Sequence, residues 1–110
     1  MQQRHVGRTG LRVSRLGLGT MTWGRDTDQH EARDQLLAFV EAGGTLVDTA
    51  AGHGDGDSEL VLGSLLDAVV PRRDLVIATK AGVSRREGQR IVDVSRRALL
   101  AELDDSLHRL

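Results

Sequence analysis

Two short apolar runs, Thr45–Asp48 and Leu75–Lys80, each end in a charged side chain and stand on either side of a helical segment. That arrangement constrains the fold more than any other feature of the chain. A third apolar stretch, Leu16–Gly19, precedes them, and a helix-period segment follows each of the three. Ala32, Leu36, Phe39 and Val40 recur at helical spacing between about Asp28 and Ala42. Leu62, Leu65, Leu66 and Val69 do the same after Ser58, and Leu99, Leu103, Leu107 and Leu110 form a last stripe from about Val94. Strands that alternate with helices in this way join by right-handed crossovers into a parallel sheet. Near-continuous apolar strands suit a sheet covered on both faces. The chain reads as an α/β protein.

Local signals set the expected boundaries. Thr27 or Asp28 caps the first helix, and Gly43 with Gly44 ends it. Ser58 and Glu59 read as a helix start, a hydroxyl for orphan N–H groups and a charge suited to the dipole. Pro71 closes that helix. Val6–Val13, with Gly7 and Gly10 around a tight turn, reads as a small hairpin ahead of the first strand. Ala81–Asp93 reads as a polar loop. Gly52, Gly54 and Gly56 read as turn residues with positive φ.

Composition excludes several function classes. A chain of 110 residues fits one domain at most, and 39% hydrophobic with 28% charged residues marks it as globular. A formal net charge of −1 leaves no electrostatic footprint for nucleic acid or an anionic membrane. The doublets Arg72–Arg73, Arg85–Arg86 and Arg96–Arg97 are interleaved with acids and read as solvated surface. No cysteine is present, no apolar signal core opens the chain, and no run approaches the roughly 20 apolar residues of a membrane span. A cytoplasmic location is expected. His5, His30 and His108 are isolated among polar residues and are assigned to the surface, with no metal-ligand spacing.

Lys80 is the only lysine, against fourteen arginines. Where any cation would serve, this composition uses arginine, so the single ammonium, compact and with a movable pKa, stands out. In parallel α/β sheets the functional groups collect at the carboxyl ends of the strands. Gly19, Asp48 and Lys80 occupy such ends on consecutive strands. Asp48 and Lys80 then have two readings. They form a buried structural ion pair, whose disruption would cost about 3–5 kcal/mol, or a catalytic pair in which the lysine tunes a third group for proton transfer.

Longer motifs surround these residues. Val47–Glu59 runs through Asp48, His53 and Ser58. Together with Gly17–Gly24, Val76–Gly82 and the closing Ser106–Leu110, it resembles the aldo-keto reductase family. The resemblance covers essentially the whole chain but only the first three-eighths of that family's (β/α)8 barrel. Residues 1–110 are therefore expected to form a partial domain, the hairpin and three βα units of a TIM-type barrel, stopping after the third helix.

The resemblance implies NADPH- or NADH-dependent reduction of a small aldehyde or ketone. The family works with an aspartate, a tyrosine, a lysine and a histidine. Asp48 matches the aspartate and Lys80 the lysine. His53 stands at the position of the tyrosine, the proton donor, and the family's histidine would lie beyond Leu110. His53 has two readings, an imidazolium that donates in the tyrosine's place or the mark of a donor that was lost. Gly19, Thr20 and Met21, with Asp48, match the segment beside the nicotinamide and its ribose. Trp23 matches an aromatic substrate wall or is an ordinary packing residue. An alternative function is a non-catalytic fragment that associates with another chain through its open sheet edge.

Overall fold

The computed structural model describes residues 1–110. Strand β1 (Gln3–His5) pairs antiparallel with β2 (Arg12–Ser14). The hairpin is thus wider than the sequence suggested, because Val6–Leu11 lie between the strands rather than within them. Ser14 anchors this hairpin to the main sheet. Its Oγ accepts the N–H groups of Thr45 (2.9 Å) and Leu46 (3.2 Å), and its own N–H donates to Thr45 Oγ1 (2.9 Å). The hairpin therefore covers the amino-terminal end of the strand that starts at Leu46.

Three strands form the main sheet in the order β3 (Gly17–Gly19), β4 (Leu46–Asp48), β5 (Val76–Ala78), all parallel. Helix α1 (Gln29–Glu41) connects the first two. Asp28 is its N-cap and shares a reciprocal capping box with Glu31, which satisfies two orphan donors. At the other end Gly43 has φ 84°, with Gly43 N–H donating to Val40 O and Gly44 N–H to Phe39 O. This is the paired closure of a Schellman motif, and it needs the left-handed residue that glycine supplies without a Cβ penalty.

Helix α2 (Asp57–Leu65) connects the second and third strands and is shorter than its apolar period implied. Asp67 turns left-handed (φ 60°), its carboxylate accepts Arg72 N–H at 2.8 Å, and Leu66 bridges to Val70. The apolar spacing persists past Leu65 because Leu66, Val69 and Val70 still face the core, but from an irregular turn. The expected polar loop after the third strand is also structured. Val83–Arg86 (β6) pairs antiparallel with Gln89–Val92 (β7) across Glu87 and Gly88. Both turn residues have positive φ, 50° and 78°, which is the two-residue turn suited to the twist of a hairpin.

Helix α3 (Arg96–Arg109) is capped by Ser95, whose hydroxyl accepts Ala98 N–H. The apolar core lies between the sheet and the first two helices. It contains Trp23, Ala32, Leu36, Val47, Leu62, Leu65, Leu66, Val70 and Leu75, with Leu110 packed against it. The rest of the α3 stripe does not belong to it. Leu99, Leu103 and Leu107 are 37%, 46% and 66% exposed, and Ser106 is the buried residue of that helix. α2 and α3 also meet backbone to backbone, since a Cβ on Gly63 would collide with the Arg109 carbonyl.

Candidate active site

Side chains alternate across a strand, so register decides which groups share a face. Gly19, Asp48 and Ala78 are in register across the three strands. Lys80 lies two residues beyond Ala78 and projects to the side on which Asp48 lies. Its Nζ donates to both carboxylate oxygens of Asp48, at 2.7 and 2.8 Å, and to the Thr49 carbonyl at 2.9 Å. The two charges, thirty-two positions apart, converge on the carboxyl rim of the parallel sheet.

The pair is not buried, contrary to the structural reading of the sequence. The Lys80 and Asp48 side chains are 55% and 47% exposed. The buried ion pair of this chain is Glu59 with Arg109. Glu59 is fully buried, and its Oε2 accepts Arg109 Nε–H at 2.6 Å while Oε1 accepts the Thr79 hydroxyl at 2.5 Å.

His53 opens a tight helical turn after Ala50, to whose carbonyl its own N–H donates (3.1 Å). Gly54, Asp55 and Gly56 are all left-handed, at φ 59°, 52° and 98°. Gly52 is not, so only two of the three glycines serve the purpose expected of them. The loop brings the His53 side chain to a cleft of about 250 Å³ that it lines with Ala50, Gly52, Lys80, Ala81 and Val83. His53 Nδ1 is shut off from solvent and has no hydrogen-bond partner. An unpaired buried nitrogen costs about 1–3 kcal/mol.

The remaining candidates divide. A Cβ on Gly19 would meet nothing within 4 Å, and Met21 is 59% exposed, so both border open space at the rim. Thr20 is fully buried, with its hydroxyl 3.2 Å from the Asp48 carbonyl and 2.7 Å from Ser58 Oγ. It holds strands together rather than presenting a free hydroxyl. Trp23, weighed as a substrate wall, is fully buried in the core, and its indole N–H donates to Gln35 Oε1 at 2.9 Å. It packs here and lines no cleft around Lys80.

Sequence reasoning underrated Ser58 and Glu59. The N-cap of α2 is Gly56, without a side-chain cap, and neither residue acts as a simple helix start. Ser58 Oγ donates to the Thr20 carbonyl at 2.7 Å and lies 2.7 Å from Thr20 Oγ1 and 3.1 Å from Thr49 Oγ1. The available signal was a threonine beside the tip of every strand, at positions 20, 49 and 79.

Comparison with known proteins fits this geometry. The aldo/keto reductase family model matches residues 15–110. The chain belongs to the aldo/keto reductase family. Among curated aldo-keto reductases it is similar to YhdN of Bacillus subtilis (strain 168), 31% identical over all of this chain and 34% of that protein. It is also similar to the NADH-specific methylglyoxal reductase of Escherichia coli (strain K12), 34% identical over 94% of this chain and 33% of that protein. The aldo-keto reductase of Bacillus halodurans superposes with a TM-score of 0.88 at 34% identity, over 100% of this chain and 36% of that one. A Pseudomonas aeruginosa protein assigned to the same family gives 0.88 at 40% identity, over 98% of this chain and 42% of that one. The chain spans about a third of the length of the curated aldo-keto reductases it matches. Its hairpin and three βα units are those of the amino-terminal part of the aldo-keto reductase barrel.

Proposed function

We propose that this chain supplies the acid–base rim of an NAD(P)H-linked carbonyl reductase acting on small aldehydes or ketones. The observation that carries the proposal is the Lys80 ammonium, gripped by both oxygens of Asp48 and opening on the same cleft as His53. An ion pair this exposed contributes only about 0–1 kcal/mol to stability. A sole lysine placed there has little to do for the fold and much to do for a reacting group.

Membership of the family supports oxidoreductase chemistry, and a nicotinamide cofactor would supply the hydride. Gly19 and Met21 border the open rim beside Asp48 and would face such a ring, whereas Thr20 is committed to the protein interior. The carbonyl oxygen of the substrate would sit in the cleft between His53 and Lys80. Charge developing on that oxygen is stabilised by the fixed ammonium, and a proton is delivered from position 53. Asp48 orients Lys80 for that purpose. Because the Escherichia coli relative is named NADH-specific, NADH belongs in the test beside NADPH.

The experiment joins residues 1–110 to the complementary carboxyl-terminal two-thirds of the Escherichia coli relative and assays methylglyoxal reduction with both cofactors. Reduction that falls at least a hundredfold on Lys80→Met supports the proposal. A folded chimera that reduces nothing, or is indifferent to Lys80→Met, overturns it.

A second reading, association with another chain, has its own observation. β3 and β5 are paired on one side only, and Leu99, Leu103 and Leu107 expose the α3 stripe. Sedimentation of the 110-residue chain tests this reading; a monomer across the micromolar range would end it.

A further inference from the structure

We infer that Ser58 and Glu59 form a clamp that positions the Asp48–Lys80 pair from the far side of the sheet, making them, with Thr49 and Thr79, positioning residues for the reaction. This inference rests on the proposed use of Lys80 and explains what holds it in place. The three strand tips carry a repeated device. Gly19 is followed by Thr20, Asp48 is followed by Thr49, and Lys80 is preceded by Thr79. Alternation sends Thr49 and Thr79 to the helix-covered side while Asp48 and Lys80 point to the rim.

The first turn of α2 meets all three threonines. Ser58 Oγ lies within hydrogen-bond distance of Thr20 Oγ1 and Thr49 Oγ1 and donates to the Thr20 carbonyl. Glu59 Oε1 accepts from Thr79. Thr20, Thr49, Ser58 and Glu59 are each wholly buried and Thr79 is half-buried, so water is kept from the serine's bonds. Two consecutive residues of one helix therefore fix the lateral spacing and height of three strand ends. The Lys80 contact to Asp48 depends on that spacing. Arg109 completes the clamp, because its Nε–H occupies the second oxygen of Glu59 and stops the carboxylate from swinging away from Thr79. The last turn of α3 is thereby wired to the tip of β5.

The single lysine provides the readout. In the 110-residue chain labelled with 13C,15N-lysine, Lys80 gives one ε-CH2 signal and one Nζ–H signal. Thr79→Val removes the clamp hydroxyl while nearly keeping its shape and leaves Arg109 bonded to Glu59. It is expected to shift the ε-CH2 resonance and broaden the hydrogen-bonded Nζ–H signal, and Thr79→Ser is expected to restore both. Parental signals in Thr79→Val overturn the clamp, and so does an equal change in Thr79→Val and Thr79→Ser, which would report packing rather than the hydroxyl. Should Thr79→Val show no cooperative melt, Thr79→Ala is read by the same two signals. No hydride transfer is measured, so a missing reductase activity and a missing clamp are separate results.

Discussion

Glu59 and Arg109 lie fifty residues apart in sequence and are joined at 2.6 Å, a wholly buried carboxylate against a guanidinium that keeps 24% of its side-chain surface. Removing the arginine alone strands a buried charge, which costs far more than the pair contributes. Arg109→Ala is expected to destabilise the chain by about 3–5 kcal/mol in urea denaturation. The double variant Glu59→Leu with Arg109→Leu should be the milder lesion, since no charge is left without a partner. A larger loss in the double than in the single variant would contradict this account.

Lys80 should behave in the opposite way. Its pair with Asp48 is about half exposed, so Lys80→Met is expected to change stability by less than about 1 kcal/mol. In the barrel chimera the same substitution should lower carbonyl reduction by roughly 10²- to 10⁴-fold, the range of a lost acid–base partner. Thermal melts of the 110-residue chain and steady-state rates of the chimera separate the two effects.

His53→Tyr tests the proposal that a proton is delivered from position 53. If the imidazole is a poor substitute for a phenol, the chimera carrying His53→Tyr should reduce carbonyls at least about tenfold faster. His53→Phe should abolish whatever proton delivery the wild-type residue gives. Equal rates for all three would remove position 53 from the mechanism.

Asp93 supplies a pH prediction. Its carboxylate accepts the Ser95 N–H at 2.9 Å at the start of α3. The backbone bond from Ser95 first, then the Ser95 side chain, hold its carboxyl below the ordinary value of 3.8. A carboxyl depressed in the folded state stabilises above the unfolded value, and that contribution disappears as pH falls through the depressed one. An NMR titration of the Asp93 carboxyl carbon should find its midpoint below 3.8. Asp93→Asn should flatten the acid limb of stability below that pH.

The order of strands and helices was legible because apolar period and capping agreed, as at Asp28 and Gly43, where local chemistry and packing point the same way. The meeting of Asp48 and Lys80 followed from strand order and register alone. What escaped were features decided by tertiary partners. α2 stops at Leu65 although Leu66 and Val69 keep the period, because the left-handed Asp67 turn buries the same residues by another route. The β6–β7 hairpin was masked by its charges, since Arg85, Arg86 and Arg90 read as loop, though Glu87–Gly88 was the available turn signal. Ser58 and Glu59 looked like capping residues because their true partners, Thr20, Thr49, Thr79 and Arg109, are distant in sequence.

The strand tips keep their charged and their architectural groups on opposite sides, charges outward at the rim and hydroxyls inward beneath the helix. Such a division makes the mouth of the sheet exchangeable. The threonines bond Ser58 and Glu59 and not His53, so the ring at position 53 can be exchanged without touching them. The alignment of the tips is therefore independent of the ring that position 53 carries.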